Sequence, residues 1–179
     1  AGQSDTGKST LINALIGAER MPAKYTPTTS IIVYIKHIKD RPQFIQDDVW
    51  IFGKNNNELW DDSKLSDESY CKDFYITGGD YSLLKTYGTH QETDEKEKIA
   101  YSAVTFIDSK LLEDCDLIDL PGFAATDEDD ALQNFGTKMS DILIYMSRSN
   151  GFLQDRDLDY LKVCLNLLRP IETSENCIG

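Results

Sequence analysis

Apolar and polar positions alternate between helical and strand spacing along the chain. In KSTLINALI (residues 8–16), Leu11, Ile12, Leu15 and Ile16 recur at helical intervals, and Gly17 follows where a helix can end. Gly17 to Ser30 holds Pro22 and Pro27 and predicts a loop. Ile31 to Ile38 (IIVYIKHI) is β-branched and aromatic and predicts a strand; Val49 to Phe52 (VWIF) predicts another. Residues 55–98 are polar, with Gly78-Gly79 and the charged run ETDEKEK. They predict a short helix near Asp67 to Tyr75 and otherwise a partly irregular insertion on the sheet with a solvated face. Strand patterns return at Tyr101 to Ile107 and at Cys115 to Leu120, the latter ending at a turn. Ala131 to Met139 predicts a helix. Ile142 to Met146 (ILIYM) is a continuous apolar run, the pattern of a strand buried on both faces. Asp155 to Leu168 predicts a helix with Leu158, Leu161, Leu165 and Leu168 on one side, begun by Gln154, Asp155 and Arg156. Strands alternating with amphipathic helices imply an α/β fold with a mainly parallel sheet flanked by helices.

Length and charge narrow the function. A chain of 179 residues suits one domain. A net charge of −13 argues against nucleic acid as the main partner, because affinity for a phosphate backbone comes from clustered Lys and Arg. It argues equally against direct contact with anionic lipid. No apolar run approaches the roughly 18 residues of a membrane span. Of the four cysteines, none forms a C-x-x-C pair, so a zinc site is not expected. Cys115 and Cys164 lie in apolar stretches and read as core residues of a reduced, cytoplasmic protein.

The first ten residues carry the most specific chemistry. Gly2-Gln3-Ser4-Asp5-Thr6-Gly7-Lys8-Ser9 fits G-x-x-x-x-G-K-[ST] at every required position. The glycines let successive main-chain N–H groups face inward as an anion cradle. Lys8 brings a point charge to the outer phosphates, Ser9 offers a hydroxyl to Mg²⁺, and Thr10 completes the binding set. A helix beginning at Lys8 aims its positive end at the same phosphates. The fold class is therefore that of a P-loop NTPase, a three-layer α/β sandwich. Because a P-loop normally springs from a buried strand, residues 1–179 read as a single domain truncated at both ends.

Two later segments complete a metal–phosphate centre. Asp119-Leu120-Pro121-Gly122 ends an apolar strand as D-x-x-G: the Asp would bind Mg²⁺ through water, and the Gly N–H would follow the γ-phosphate. In Pro27-Thr28-Thr29-Ser30, Thr28 and Thr29 compete as a further Mg²⁺ ligand, and Thr29 is favoured. About 90 residues separate Thr29 from Asp119, which places a large insertion between the first switch and the DLPG strand. Phe123 stands where Ras-like enzymes hold the glutamine that orients the attacking water, so other groups must align it. The acidic cluster Asp127-Glu128-Asp129-Asp130 lacks calcium-loop spacing and reads as a helix start.

On GQSDTGKSTLINALIG, PTTS, LIDLPGF and the apolar segment and helix in DILIYMSRSNGFLQDRDLDYLKVCL, the chain resembles dynamin-superfamily GTPases, bacterial dynamin-like proteins in particular, from Ala1 to about Arg169. The resemblance implies an extended mixed sheet, GTP as substrate and Mg²⁺-dependent hydrolysis. It further implies dimerisation through the nucleotide faces, and membrane remodelling or tethering through other regions, hence peripheral membrane association. It places Ser4 and Asp5 beside the reacting phosphates with Lys8 and Thr29 as the catalytic group, in some members aided by K⁺ or Na⁺. Asp5 departs from the residues usual there: it either holds such a cation or turns away and leaves hydrolysis slow. Two other readings stay open, a GTP-binding switch or scaffold that hydrolyses poorly and an ATP-using P-loop protein. The guanine-reading N/T-K-x-D motif does not occur in these residues, so guanine selection is implied by the resemblance alone.

Overall fold

Strand β1 (Ile32–His37) is buried along its whole length. Its side chains alternate with the period of two that a strand imposes. Ile32 and Tyr34 enter one core with Phe52, Trp60, Val104 and Phe106. Val33 and Ile35 enter a second core with Val49, Ile51, Ala103 and Ile107. A strand packed on both faces has no need of polar alternation, which is why IIVYI reads as a continuous apolar run. The computed structural model describes residues 1–3, 6–22, 31–87, 99–122, 127–147, 151 and 153–167.

Among the described residues five strands form one sheet in the order β3-β2-β4-β1-β5, with β2 at Val49–Phe52, β3 at Tyr75–Gly79, β4 at Ser102–Ile107 and β5 at Leu117–Asp119. Helices α1 (Lys8–Ile16) and α3 (Ser82–Tyr87) cover one face through Ile12, Ile16 and Leu84. Helices α2 (Glu68–Phe74) and α4 (Asp127–Lys138) cover the other through Cys71, Phe74 and Leu132. The result is three layers. Helix α5 (Asp155–Leu167) packs against α4. On the second face Trp60 is fully buried, stacked on Phe52 at 4.1 Å and edge-on to Tyr34 at 5.4 Å.

The sheet is mixed and not mainly parallel. Among the described strands only β1 and β4 run parallel; β2 is antiparallel to β3 and β4, and β5 is antiparallel to β1. Buried strands look alike in sequence whatever their direction, because direction is set by the connections between them. The stretch expected to be partly irregular contributes β3 and α3, and its residues 88–98 lie outside the described residues. Gly78-Gly79 pair with Trp50 and Val49, and a Cβ on Gly78 would lie 2.7 Å from the Trp50 ring, so glycine there marks close packing and not a loop.

Three further expectations are corrected. Ile142–Met146 is not a buried strand: Ile142 is 82% and Ile144 55% exposed, and among the described residues its pairing is with Ala1 and Gly2, where Ala1 N donates to Ile144 O at 2.8 Å and Met146 bridges Gly2 in parallel. An apolar run states a preference for burial, but whether it is met depends on what packs against it, which the run itself does not encode. Cys115 is exposed, since it lies in the turn before β5; Cys164 is buried as expected. On α5 the inward positions are Asp157 and Cys164, whereas Leu158 and Leu165 are exposed. Asp157 is drawn inward by hydrogen bonds that hydrophobic periodicity does not encode. Helix α4 begins at Asp127, and α5 at Asp155, as the sequence suggests.

Candidate functional site

The site is built where α1 and β5 begin and end. Gly7 is the residue before α1 and adopts φ 87°, a left-handed conformation that favours glycine. It has no side chain to cap the helix, so the amides of the first turn keep no side-chain partner at that position. Gly2 adopts φ +147°, and a Cβ there would lie 2.3 Å from the main-chain oxygen of Met146. The start of the loop is thus pressed against the 145–147 segment, where Met146 N donates to Ala1 O at 2.9 Å.

The loop folds back on itself through Lys8. Its Nζ donates to Gln3 O at 2.9 Å and Gly2 O at 3.2 Å, while Thr6 Oγ1 donates to Gln3 O at 2.9 Å. Ser9, in the first turn of α1, donates from Oγ to Asp119 Oδ2 at 2.8 Å. Asp119 ends β5 opposite Val33, and it is only 2% exposed. Its other oxygen, Oδ1, is buried without a hydrogen-bond partner. Burial pushes the Asp119 carboxyl above the usual carboxylate range, while the Ser9 hydroxyl and the Lys8 charge pull the other way. A buried carboxylate oxygen lacking a donor, beside a serine hydroxyl and an ammonium, fits a hydrated Mg²⁺ and suits a cation poorly held by protein alone. Among the described residues no cluster of three or more His, Cys, Asp or Glu could hold a metal.

The entry to β5 is fixed from β1. Lys36, largely buried, binds Asp116 at 2.6 Å and Asp62 at 2.9 Å. A buried ammonium needs such partners, and satisfying it locks the residue three places before Asp119. After β5 the Pro121 carbonyl accepts from Gln133 Nε2 of α4, a fully buried side chain. Gly122 is buried and Thr10 exposed. Ser4, Asp5, Thr28, Thr29 and Phe123 lie outside the described residues. Ile31, two positions after Thr29, is buried where the chain enters β1, one strand away from Asp119.

Sequence reasoning missed Gln133 and Asp157. Asp157 is 1% exposed and accepts from Gln3 Nε2 at 2.8 Å, from Gln154 N at 2.9 Å, from Ser147 Oγ at 3.5 Å and from Tyr145 OH. Burial alone would raise its carboxyl, but these donors outweigh burial and hold it below the usual range. In sequence it looked like an ordinary acidic residue at a helix start; its partner Gln3 lies 154 positions away.

A family model described as "Dynamin family" matches residues 1–165. The chain belongs to the dynamin family. A search of curated proteins finds no match. One solved chain comes from a structure described as "An oligomerised bacterial dynamin pair provides a mechanism for the long range sensing and tethering of membranes". It is 19% identical and superposes with a TM-score of 0.51 over 94% of this chain and 23% of its own. A second chain described in the same words is 16% identical, covers 95% of this chain and 28% of its own, and has a TM-score of 0.39. The first likeness supports the fold of this dynamin-family chain, which spans about a quarter of that relative's length.

Proposed function

We propose that this dynamin-family chain binds GTP with Mg²⁺ and hydrolyses it. The observation that carries the reading is the Ser9–Asp119 hydrogen bond, which joins two motifs 110 residues apart beside Lys8 and an uncapped helix start. Loop amides and the helix end would cradle the phosphates, and Lys8 would leave the carbonyls of Gly2 and Gln3 for the β- and γ-phosphates. Ser9 would ligate Mg²⁺ directly and Asp119 through water, with Thr29 completing the shell. The bound metal supplies charge neutralisation between the β- and γ-phosphates. Water attacks the γ-phosphorus in line, the bond to the β–γ bridging oxygen breaks, and GDP and inorganic phosphate leave. Main-chain atoms and side chains around Ser4 and Asp5 would orient that water, with K⁺ or Na⁺ held at Asp5.

Membership of the dynamin family supports GTP as the substrate over ATP, and Pro121-Gly122 after Asp119 supports it further. By the same membership, two such domains would dimerise through their nucleotide faces, and membrane tethering or remodelling would fall to regions beyond residues 1–179. Peripheral association suits a chain in which, among the described residues, no helix is long and apolar enough to cross a membrane.

Phosphate release from GTP, measured over a wide range of protein concentration, tests the reading. Turnover should rise with concentration, ATP should not compete, and Lys8→Ala should abolish binding or turnover. Unchanged turnover in Lys8→Ala removes the assignment. A flat, slow rate favours the poorly hydrolysing switch, and a faster Asp5→Ser would identify Asp5 as inhibitory.

A further inference from the structure

We propose that Asp157 is a positioning residue for the phosphate loop, acting through the side chain of Gln3. The inference rests on the proposed triphosphate site and adds to it a part of the chain that none of its motifs contains.

The four donors to Asp157 divide into two pairs. Oδ2 accepts from Gln154 N at 2.9 Å and lies 3.5 Å from Ser147 Oγ. Gln154 stands just before α5, and Leu158 N bonds its carbonyl at 3.1 Å. Asp157 is therefore the third residue of the helix reaching back to the amide before it, one half of a capping box. That local role occupies one oxygen. The other, Oδ1, accepts from Gln3 Nε2 at 2.8 Å and from Tyr145 OH. Neither donor belongs to α5, and neither is needed to cap it.

Gln3 is where the loop's own bonds converge. Its carbonyl accepts from Thr6 Oγ1 and from Lys8 Nζ, both at 2.9 Å. When Lys8 turns to a phosphate, the carbonyl of Gln3 loses one of these two partners, while its side chain keeps the bond to Asp157. Gly2, just before it, has no room to move toward Met146. A carboxylate with all four acceptor positions used is rigidly oriented. It holds the side chain of Gln3 in place, and so restrains the residue whose carbonyl Thr6 and Lys8 share. Cradle amides hold an anion only while they converge, so their alignment sets affinity.

The test uses the full chain, a fluorescent GTP analogue for affinity, phosphate release for turnover, and thermal unfolding without nucleotide. Gln3→Met keeps the length of the side chain, removes the donor, and leaves Tyr145, Ser147 and Gln154 on Asp157. It should weaken binding roughly tenfold and, because a buried carboxylate loses one of its donors, also lower the unfolding temperature of the nucleotide-free chain. Gln3→Glu sets two carboxylates against each other and should weaken binding further. Adding Asp157→Asn should then restore much of that loss, because the new amide can donate to the new carboxylate. A merely structural Asp157 gives no such rescue. Native affinity in Gln3→Met, or a Gln3→Glu defect that Asp157→Asn fails to relieve, overturns the proposal while leaving the GTPase reading intact. If the unaltered chain binds no GTP analogue, the GTPase reading falls and this proposal with it.

Discussion

Ser9 Oγ donates to Asp119 Oδ2 at 2.8 Å, so a residue in the first turn of α1 meets one at the end of β5. In the proposed site the two share one Mg²⁺. Ser9→Ala removes the hydroxyl that would ligate the metal and leaves the fold's apolar cores untouched. Turnover should fall on the order of a hundredfold or more, comparable to losing one group that stabilises developing charge. Magnesium titration of GTP turnover should show a higher concentration requirement in the variant. Identical magnesium curves would exclude Ser9 from the metal centre.

Asp119 is ionisable, buried and short of one donor, so its charge opposes folding when no metal is bound. Its carboxyl is raised from the ordinary value of 3.8. The folded protein therefore binds that proton more tightly than the unfolded chain does, and stability declines as pH rises from the ordinary value through the folded-state value. Asp119→Asn removes the decline. Without nucleotide, the variant should unfold at a higher temperature than the native protein at neutral pH, with the gap closing under acid conditions. With Mg²⁺ and GTP the native protein should gain the stability of its ligand and the variant should not. A variant less stable at neutral pH without nucleotide would contradict this account.

Gly2 and Gly7 both have positive φ, but they differ in what surrounds them. A Cβ on Gly2 would meet the Met146 carbonyl at 2.3 Å, whereas one on Gly7 would have the Met146 Cε at 3.8 Å, an ordinary contact. Gly7→Ala should cost about 1–2 kcal/mol of backbone strain. Gly2→Ala must also displace main chain and should cost more, about 3 kcal/mol or above. Urea unfolding of the two variants checks the order.

Trp60 lies outside every motif and anchors the second core. It is fully buried, stacked on Phe52 and edge-on to Tyr34. Trp60→Ala should destabilise by about 3–5 kcal/mol, the usual cost of truncating a buried large aromatic. If chemical unfolding shows under 1 kcal/mol of loss, the packing described around β1 and β2 is wrong.

Legibility in the sequence followed the range of the interactions involved. Helix α1 and its glycine stop were readable because spacing and cap chemistry are local. Strands β1 and β2 were readable because side chains buried on two faces leave apolar runs, and β4 because Val104, Thr105, Phe106 and Ile107 are β-branched or aromatic. Strand β3 was not, since Gly78 serves a contact with Trp50 and Gly79 one with Leu83, and both form only after folding. The opposite error arose at Ile142–Met146, where an apolar run lacks a neighbouring strand among the described residues.

The chain's order of residues alone marked out the proposed phosphate loop, its lysine and serine, and the aspartate at a strand end, because each of those chemical roles demands one residue type at one spacing. It could not state that β5 runs against β1, which brings Asp119 beside Val33 and under Ser9. Nor could it show Asp157 turned inward to Gln3. Those relationships join positions more than eighty residues apart, and they exist only once burial has removed water as the competing hydrogen-bond partner.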